Sequence, residues 1–298
     1  MVEDFDLDEE VLEDLRRLAI RVAGEAAAYV RDRYGISEFT EVVGFHSGDE
    51  GMKIDYESEG VILDLLRKEG FRGLFVGEER GLIKIGSDPF VAVVDPLDGS
   101  RNYASLVPWS NVSVAFGYVR DGKATLFDIV AGAVAPVFSW PISSFARGLG
   151  AYEGGKRLYA REAGSTRLVM AYVENIDQAK VVHKYLELVA GKRSVRALGS
   201  AALEAVWAGF GRAEVFLDIR GRLRVVDIAA GIGIALEAGA WVLVEKSNAS
   251  LLSVEKVGSV IVASSKQVAD TVSRALSESG FSSLSSKWVV KWRRVSEN

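Results

Sequence analysis

Pro89-Phe90-Val91-Ala92-Val93-Val94-Asp95-Pro96-Leu97-Asp98-Gly99-Ser100-Arg101-Asn102 is an apolar run that stops abruptly at two carboxylates and a turn. Phe90 to Val94 is short, rich in β-branched residues and bounded by Pro89 and Pro96, which predicts a strand buried on both faces rather than a piece of helix. Pro96 fixes φ just after Asp95, and Gly99 frees the backbone just after Asp98. A tight turn between them can aim both carboxylates at one point and so make a place for a cation. Carboxylates and a backbone carbonyl are hard oxygen ligands that suit Mg²⁺ or Mn²⁺ better than zinc. Gly99-Ser100-Arg101-Asn102 has the small and polar residues that open a helix, whose unpaired N–H groups favour a phosphate. Taken alone, Asp-Pro-Leu-Asp-Gly is also the composition of an ordinary surface turn.

At 298 residues the chain fits two domains or one large layered one, and a change of pattern near residue 160 divides 1–160 from 161–298. Hydrophobic residues at 49% and charged residues at 26% describe a soluble globular protein. The net charge of −5 argues against a general nucleic-acid binder, so a phosphate ligand needs local basic residues or a metal. The absence of cysteine excludes disulfides, thiolate metal sites and a cysteine nucleophile, and fits a reducing cytoplasm. The acidic N-terminus, Met1 to Glu10, lacks the basic and apolar regions of a signal peptide, so a cytoplasmic location is expected. The longest apolar stretch, Ile228 to Val244, contains Glu237 and several glycines; it reads as a core helix leading into a buried strand, not a membrane span.

Along the chain, Val11 to Tyr34 carries apolar residues at helical spacing, with acidic residues early and Arg31 and Arg33 late. Glu41 to Gly51 is polar and Gly-rich and reads as a mobile loop, a candidate lid. Ile54 to Glu69 is a second amphipathic helix with Asp55 near its start. Leu74 to Val76 is a short strand that ends in Gly77-Glu78-Glu79, so carboxylates again stand where an apolar run stops. Trp109 to Val119, Lys123 to Val130, Ala133 to Trp140 and Gly150 to Tyr159 are further strands, giving helices followed by a largely antiparallel sheet. Beyond residue 160 the pattern alternates: strand Leu168 to Val173, helix Gln178 to Ala190, strand Val195 to Leu198, then a helix to Ala208 with Ser200 as its expected N-cap. Ala213 to Leu217 is a strand, and a buried helix begins at Val225. Asp227 sits among its apolar residues, which is costly unless the carboxylate caps the helix, is paired or binds metal. Gly231-Ile232-Gly233 lacks the third glycine of a dinucleotide loop. His46 and His183 lie in polar surroundings and are expected at the surface.

Four pieces in order, Asp55 near a helix start, Gly77-Glu78-Glu79, Asp95-Pro-Leu-Asp-Gly-Ser and Asp227-Ile-Ala-Ala-Gly, resemble the inositol monophosphatase family. The combination spans most of the chain and looks most like the archaeal branch, whose enzymes hydrolyse fructose 1,6-bisphosphate and inositol 1-phosphate in one site. The resemblance implies an α+β fold, a layered αβαβα sandwich of the sugar-phosphatase type, with the site between the two halves. It implies that Glu78, Asp95 and the Leu97 carbonyl hold one Mg²⁺, and that Asp95, Asp98 and Asp227 hold a second. Ser100 and Asp55 would position the attacking water, and the backbone at Gly99 and Ser100 the phosphate. Gly199-Ser200-Ala201 matches the family's sugar or polyol loop, and Arg220, seven residues before Asp227, suggests a second anionic group, with Arg222 and Arg224 as alternatives. A third Mg²⁺ reached by Asp49 or Glu50 is a further expectation.

The function so implied is Mg²⁺-dependent hydrolysis of sugar or polyol phosphate monoesters, with Mn²⁺ as a possible substitute and no covalent intermediate. Fructose 1,6-bisphosphate is the first expected substrate and inositol 1-phosphate the second. The competing readings are a 3′-phosphoadenosine 5′-phosphate phosphatase and a catalytically silent regulatory member of the fold. A small-molecule partner and a homodimer are implied; nucleic acid and membrane are not.

Overall fold

The computed structural model describes residues 7–46, 49–161, 166–284 and 287–290. The chain opens with α1 (Glu9–Arg31), then β1 (Val42–His46), β2 (Asp49–Met52) and α2 (Lys53–Lys68). It continues through β3 (Leu74–Gly77), β4 (Gly81–Lys84), β5 (Phe90–Asp98), α3 (Ser100–Ala104), β6 (Asn111–Tyr118), β7 (Ile129–Pro136), β8 (Ser143–Ala146), β9 (Gly150–Glu153) and β10 (Lys156–Leu158). The remainder comprises β11 (Leu168–Tyr172), α4 (Ile176–Leu188), β12 (Ser194–Arg196), α5 (Ala201–Gly209), β13 (Val215–Asp218), α6 (Val225–Ala238), β14 (Trp241–Val244), β15 (Val260–Ala263), α7 (Lys266–Glu278) and β16 (Trp288–Val290).

An eight-stranded sheet, ordered β10-β9-β8-β7-β6-β5-β3-β4, is antiparallel except where β3 runs parallel to β5. A six-stranded mixed sheet is ordered β12-β11-β13-β15-β14-β16. Helices α1 and α2 pack on one face of the larger sheet, α5 and α6 lie between the sheets, and α4 and α7 pack together on the far face of the smaller sheet. The layers are thus α, β, α, β, α, the sandwich expected.

Period-two alternation explains why both sheets are buried on both faces. In β5, Val91 and Val93 join the core with α5 and α6, whereas Ala92 and Val94 join the core under α1 and α2. In β11, Met170 and Tyr172 face the central layer and Val169 and Ala171 the outer one. Helix α6 is buried along nearly its whole length, which accounts for the membrane-like apolar stretch leading to β14. No helix among the described residues is long and apolar enough to cross a membrane.

Several expectations need correction. The polar stretch Glu41 to Gly51 is not a loop: β1 and β2 pair antiparallel, and Lys53 N–H donates to the Glu41 carbonyl at 2.9 Å to close the hairpin's base. Its strands are held by backbone pairing, which a Gly-rich sequence does not advertise. The segment from Lys123 makes only isolated bridges, at Lys123 and Thr125, and a 3₁₀ turn until β7 begins at Ile129, so this strand starts before Ala133 and ends at Pro136. Strand β4, antiparallel to β3, was not foreseen. Ser47 and Gly48 of the proposed lid, and the side chains of His46, Asp49 and Glu50, lie outside the described residues.

Candidate active site

The carboxyl end of β5 builds the site. Strand pairing with β6 loses register between Asp95 and Asp98, where Pro96 interrupts the ladder. Asp95 Oδ1 accepts the Leu97 N–H at 3.0 Å, and the Ser58 hydroxyl of α2 donates to the Pro96 carbonyl at 2.9 Å. Gly99 turns the chain with φ of +88°, and a Cβ there would stand 3.0 Å from the Trp109 carbonyl oxygen and 3.1 Å from that of Gly199. Both conformation and space demand glycine before α3 begins at Ser100.

Glu78 arrives just after β3, Asp95 on β5 and Asp227 in the first turn of α6, and one carboxylate oxygen of each lies within 4.8 Å of the others. Residues far apart in the chain are thus brought to one point. Asp227 also accepts the Arg224 N–H at 2.8 Å, so helix capping and a place in the acidic cluster are compatible. The Arg224 guanidinium reaches Glu78 at 2.5 Å and Asp227 at 3.0 Å, while its buried Nη1 has no hydrogen-bond partner among the described residues.

Burial pushes the Glu78 carboxyl up to about 8, with Arg224 opposing and Asp227 and Asp55 adding to the rise. Burial likewise holds Asp95 well above the ordinary range, reinforced by the neighbouring Glu78, Asp98 and Asp227. Once ionised, the three carboxylates with one guanidinium sum to −2, which a divalent cation among hard oxygen donors would neutralise. The donor set therefore fits Mg²⁺ or Mn²⁺.

Asp98 is turned differently. It accepts the backbone N–H groups of Ala201 at 3.0 Å and Ala202 at 2.8 Å, the Ser200 hydroxyl at 2.9 Å and the Asn111 amide at 2.7 Å. It thereby holds the start of α5 against β5, and burial still raises it to about 6 despite these bonds. Ser200 stands at the N-cap position, but its hydroxyl serves Asp98 instead of capping. The first N–H groups of the helix are capped by Asp98 itself, while Glu204, fully buried one turn on, accepts the N–H groups of the preceding Leu198, Gly199 and Ser200 and the Tyr172 hydroxyl.

Asp55, at the start of α2, accepts the Met52 N–H at 2.8 Å and lines the same cleft; burial, with Glu79 and Glu59 adding to it, raises it to about 7. Glu59, one helical turn further, was overlooked in the sequence. Its carboxylate accepts the N–H groups of Glu79 at 2.7 Å and Arg80 at 2.8 Å, and a Cβ at Gly77 would collide with it at 2.4 Å. Its spacing from Asp55, i to i+4 on one helix face, was the available signal.

The cleft has a volume of about 680 Å³ and is lined by Asp55, Glu78, Asp95, Leu97, Asp98, Gly99, Ser100, Gly199, Ala201, Arg220, Arg222, Arg224 and Asp227. Of the residues expected to hold the two cations, the water and the substrate, all line it except Ser200, which is buried, whereas the side chains of Asp49 and Glu50, expected to reach a third cation, lie outside the described residues. Arg220 is not a free cation. It bonds fully buried Asp218 through Nε at 3.0 Å and Nη2 at 2.7 Å, bonds Glu174 through Nη1 at 3.1 Å, and stacks 4.3 Å over the Tyr172 ring. Arg222 reaches Glu174 at 2.8 Å. His183 is exposed beside Glu187, as expected, whereas the side chain of His46 lies outside the described residues.

Residues 11–280 match the profile of the inositol monophosphatase family. An Aeropyrum pernix protein named inositol-1-monophosphatase is 39% identical over 258 residues, 84% of this chain and 92% of that one. A Thermococcus kodakarensis fructose-1,6-bisphosphatase/inositol-1-monophosphatase is 28% identical over 88% of this chain and 96% of its own. Among solved structures, Mycobacterium tuberculosis SuhB superposes with a TM-score of 0.68 at 30% identity, covering 91% of this chain and 98% of that one. A Pyrococcus horikoshii protein described as similar to inositol-1 monophosphatase gives 0.72 at 26%, covering 89% and 98%. Layered fold, acidic cluster and sequence match agree, and the chain belongs to the inositol monophosphatase family.

Proposed function

We propose that this chain is a Mg²⁺-dependent hydrolase of sugar and polyol phosphate monoesters that accepts both inositol 1-phosphate and fructose 1,6-bisphosphate. The observation that carries the reading is the convergence of Glu78, Asp95 and Asp227 in a cleft whose wall also holds Asp55, Gly99 and Ser100. The relatives' names support both substrates.

In this reading Glu78, Asp95 and Asp227 hold the cation, with the Leu97 carbonyl and Asp98 as further oxygen donors and Mn²⁺ as a substitute. Bound divalent cations lower the pKa of water and offset charge growing on the phosphoryl oxygens and the leaving alkoxide. Asp55, held near neutral pKa by burial, accepts a proton from the attacking water, and Ser100 orients that water. The backbone at Gly99 and Ser100 holds the phosphate, and the Arg224 guanidinium lines the same cleft. Gly199, Ser200 and Ala201 hold the polyol side, fixed by Asp98 and Glu204. An adenine needs a free aromatic platform, and the ring of Tyr172 is already covered by Arg220, which disfavours a nucleotide substrate.

Phosphate release with Mg²⁺ from inositol 1-phosphate, fructose 1,6-bisphosphate and 3′-phosphoadenosine 5′-phosphate tests the reading. Turnover of the first two, lost in Asp95→Asn, is expected. No Mg²⁺-dependent turnover of either by the native chain overturns it.

A further inference from the structure

The outer end of the cleft carries two arginines, yet it is electrically neutral. Arg220 is closed onto Asp218 by two side-chain bonds and a backbone one, the Arg220 N–H donating to Asp218 Oδ1 at 2.9 Å. The second carboxylate, Glu174, stands just after β11 and takes Arg220 on Oε1 at 3.1 Å and Arg222 on Oε2 at 2.8 Å. Two guanidinium groups and two carboxylates sum to zero. Arg220 cannot easily leave: its partner Asp218 has no exposed surface, and its guanidinium rests on Tyr172, whose hydroxyl is tied to Glu204.

A second phosphate brings about −2 of charge and needs donors it need not take from a competing carboxylate. Glu174, 35% exposed, is such a competitor for both arginines. A polyol brings hydroxyls, which a carboxylate accepts through lone pairs its arginines leave unused. The charge balance therefore favours hydroxyls over a second anion at this end.

From this balance we infer that Glu174 is the specificity-determining residue of the cleft, accepting the hydroxyls of a polyol monophosphate and holding Arg220 and Arg222 away from the second phosphate of a bisphosphate. The inference rests on the hydrolase reading above and refines it. It makes inositol 1-phosphate the preferred substrate and fructose 1,6-bisphosphate the secondary one, reversing the order that Arg220 alone suggested. Arg222, 63% exposed, is the cation that removal of the Glu174 charge would free.

The test is the ratio of kcat/KM for inositol 1-phosphate to that for fructose 1,6-bisphosphate, with saturating Mg²⁺, in the native chain, Glu174→Gln and Arg222→Ala. The native ratio should exceed one. Glu174→Gln should lower it about tenfold, mainly through a smaller KM for the bisphosphate, as expected for one unscreened charge in a partly buried cleft. Arg222→Ala, which leaves the outer end negative, should raise the ratio, so two substitutions on one ion pair move it in opposite directions. Melting curves confirm that each variant is folded, and the Arg222 variant alone decides the sign if the other is not. A native ratio below one, no change in either variant, or a loss of bisphosphate hydrolysis in Glu174→Gln overturns the role of Glu174 while leaving the hydrolase reading intact. Absence of turnover on both substrates by the native chain overturns the hydrolase reading and this inference with it.

Discussion

The two ends of the cleft contain similar residues and behave oppositely. At the inner end Glu78, Asp95 and Asp227 share one guanidinium, which cannot balance three carboxylates, and burial raises Glu78 to about 8 and Asp95 well above its ordinary range. At the outer end Arg220 meets Asp218 and shares Glu174 with Arg222, and two positive and two negative charges cancel. Uncompensated buried charge points to a ligand that is to come, whereas compensated charge holds shape. Arg224 and Arg220 show the contrast within a few residues of each other: one has a donor to spare, the other is locked.

The largest effect should come from breaking the inner end. Asp95→Asn keeps the size of the side chain but removes the central charge, and should cut Mg²⁺-dependent phosphate release by roughly 10³-fold or more, measured as kcat/KM. At the outer end the same kind of deletion should damage the fold first. Arg220→Ala leaves the fully buried Asp218 without its partner and should cost about 3–5 kcal/mol in denaturant unfolding. Selective loss of one substrate with unchanged stability would contradict the locked Arg220.

Acidity sharpens the contrast further. The inner carboxyls have folded pKa values raised above their unfolded ones, to about 6 for Asp98, about 7 for Asp55 and about 8 for Glu78. The folded protein thus binds more protons than the unfolded chain between pH 4 and 8, so these groups favour folding at low pH and lose that contribution as pH rises through 6 to 8. Metal-free protein should melt on the order of 5 °C lower at pH 8.5 than at pH 5.5, and Mg²⁺ should reduce the difference. Equal melting temperatures with and without Mg²⁺ at pH 8.5 would contradict a cation site there.

A smaller effect belongs to the support of the cluster. Glu59→Gln can accept only one of the two N–H groups of Glu79 and Arg80 as well as before, and should cost about 1–3 kcal/mol in unfolding while weakening metal binding several-fold. The smallest lies outside the cleft: His183→Ala removes an exposed contact to Glu187 and should change stability by less than about 0.5 kcal/mol with unaltered kinetics.

The inner end was legible in the sequence because each of its residues is a polar interruption of an apolar element. Asp95 ends the β5 run, Glu78 follows β3 and Asp227 sits among apolar neighbours in α6, patterns that local chemistry imposes. The outer end was not. Arg220 is two residues from Asp218 but 46 from Glu174 in the chain, and only the packing of β11 beside β13 brings the latter near. The place of Asp98 in the turn is legible in the sequence, but its four bonds to α5 and Asn111 depend on tertiary contacts up to 104 residues away. The hairpin of β1 and β2 was missed for the same reason, since its pairing is stored in the backbone and not in side-chain pattern.

The acidic cluster is tested most directly by Mn²⁺ binding to metal-free protein, followed by electron paramagnetic resonance at neutral pH in the native chain and in Asp95→Asn. Saturable binding in the native chain, competed by Mg²⁺, is expected, together with its loss in the variant. Equal binding by both proteins, or none by the native one, would contradict the claim that Glu78, Asp95 and Asp227 form a cation site.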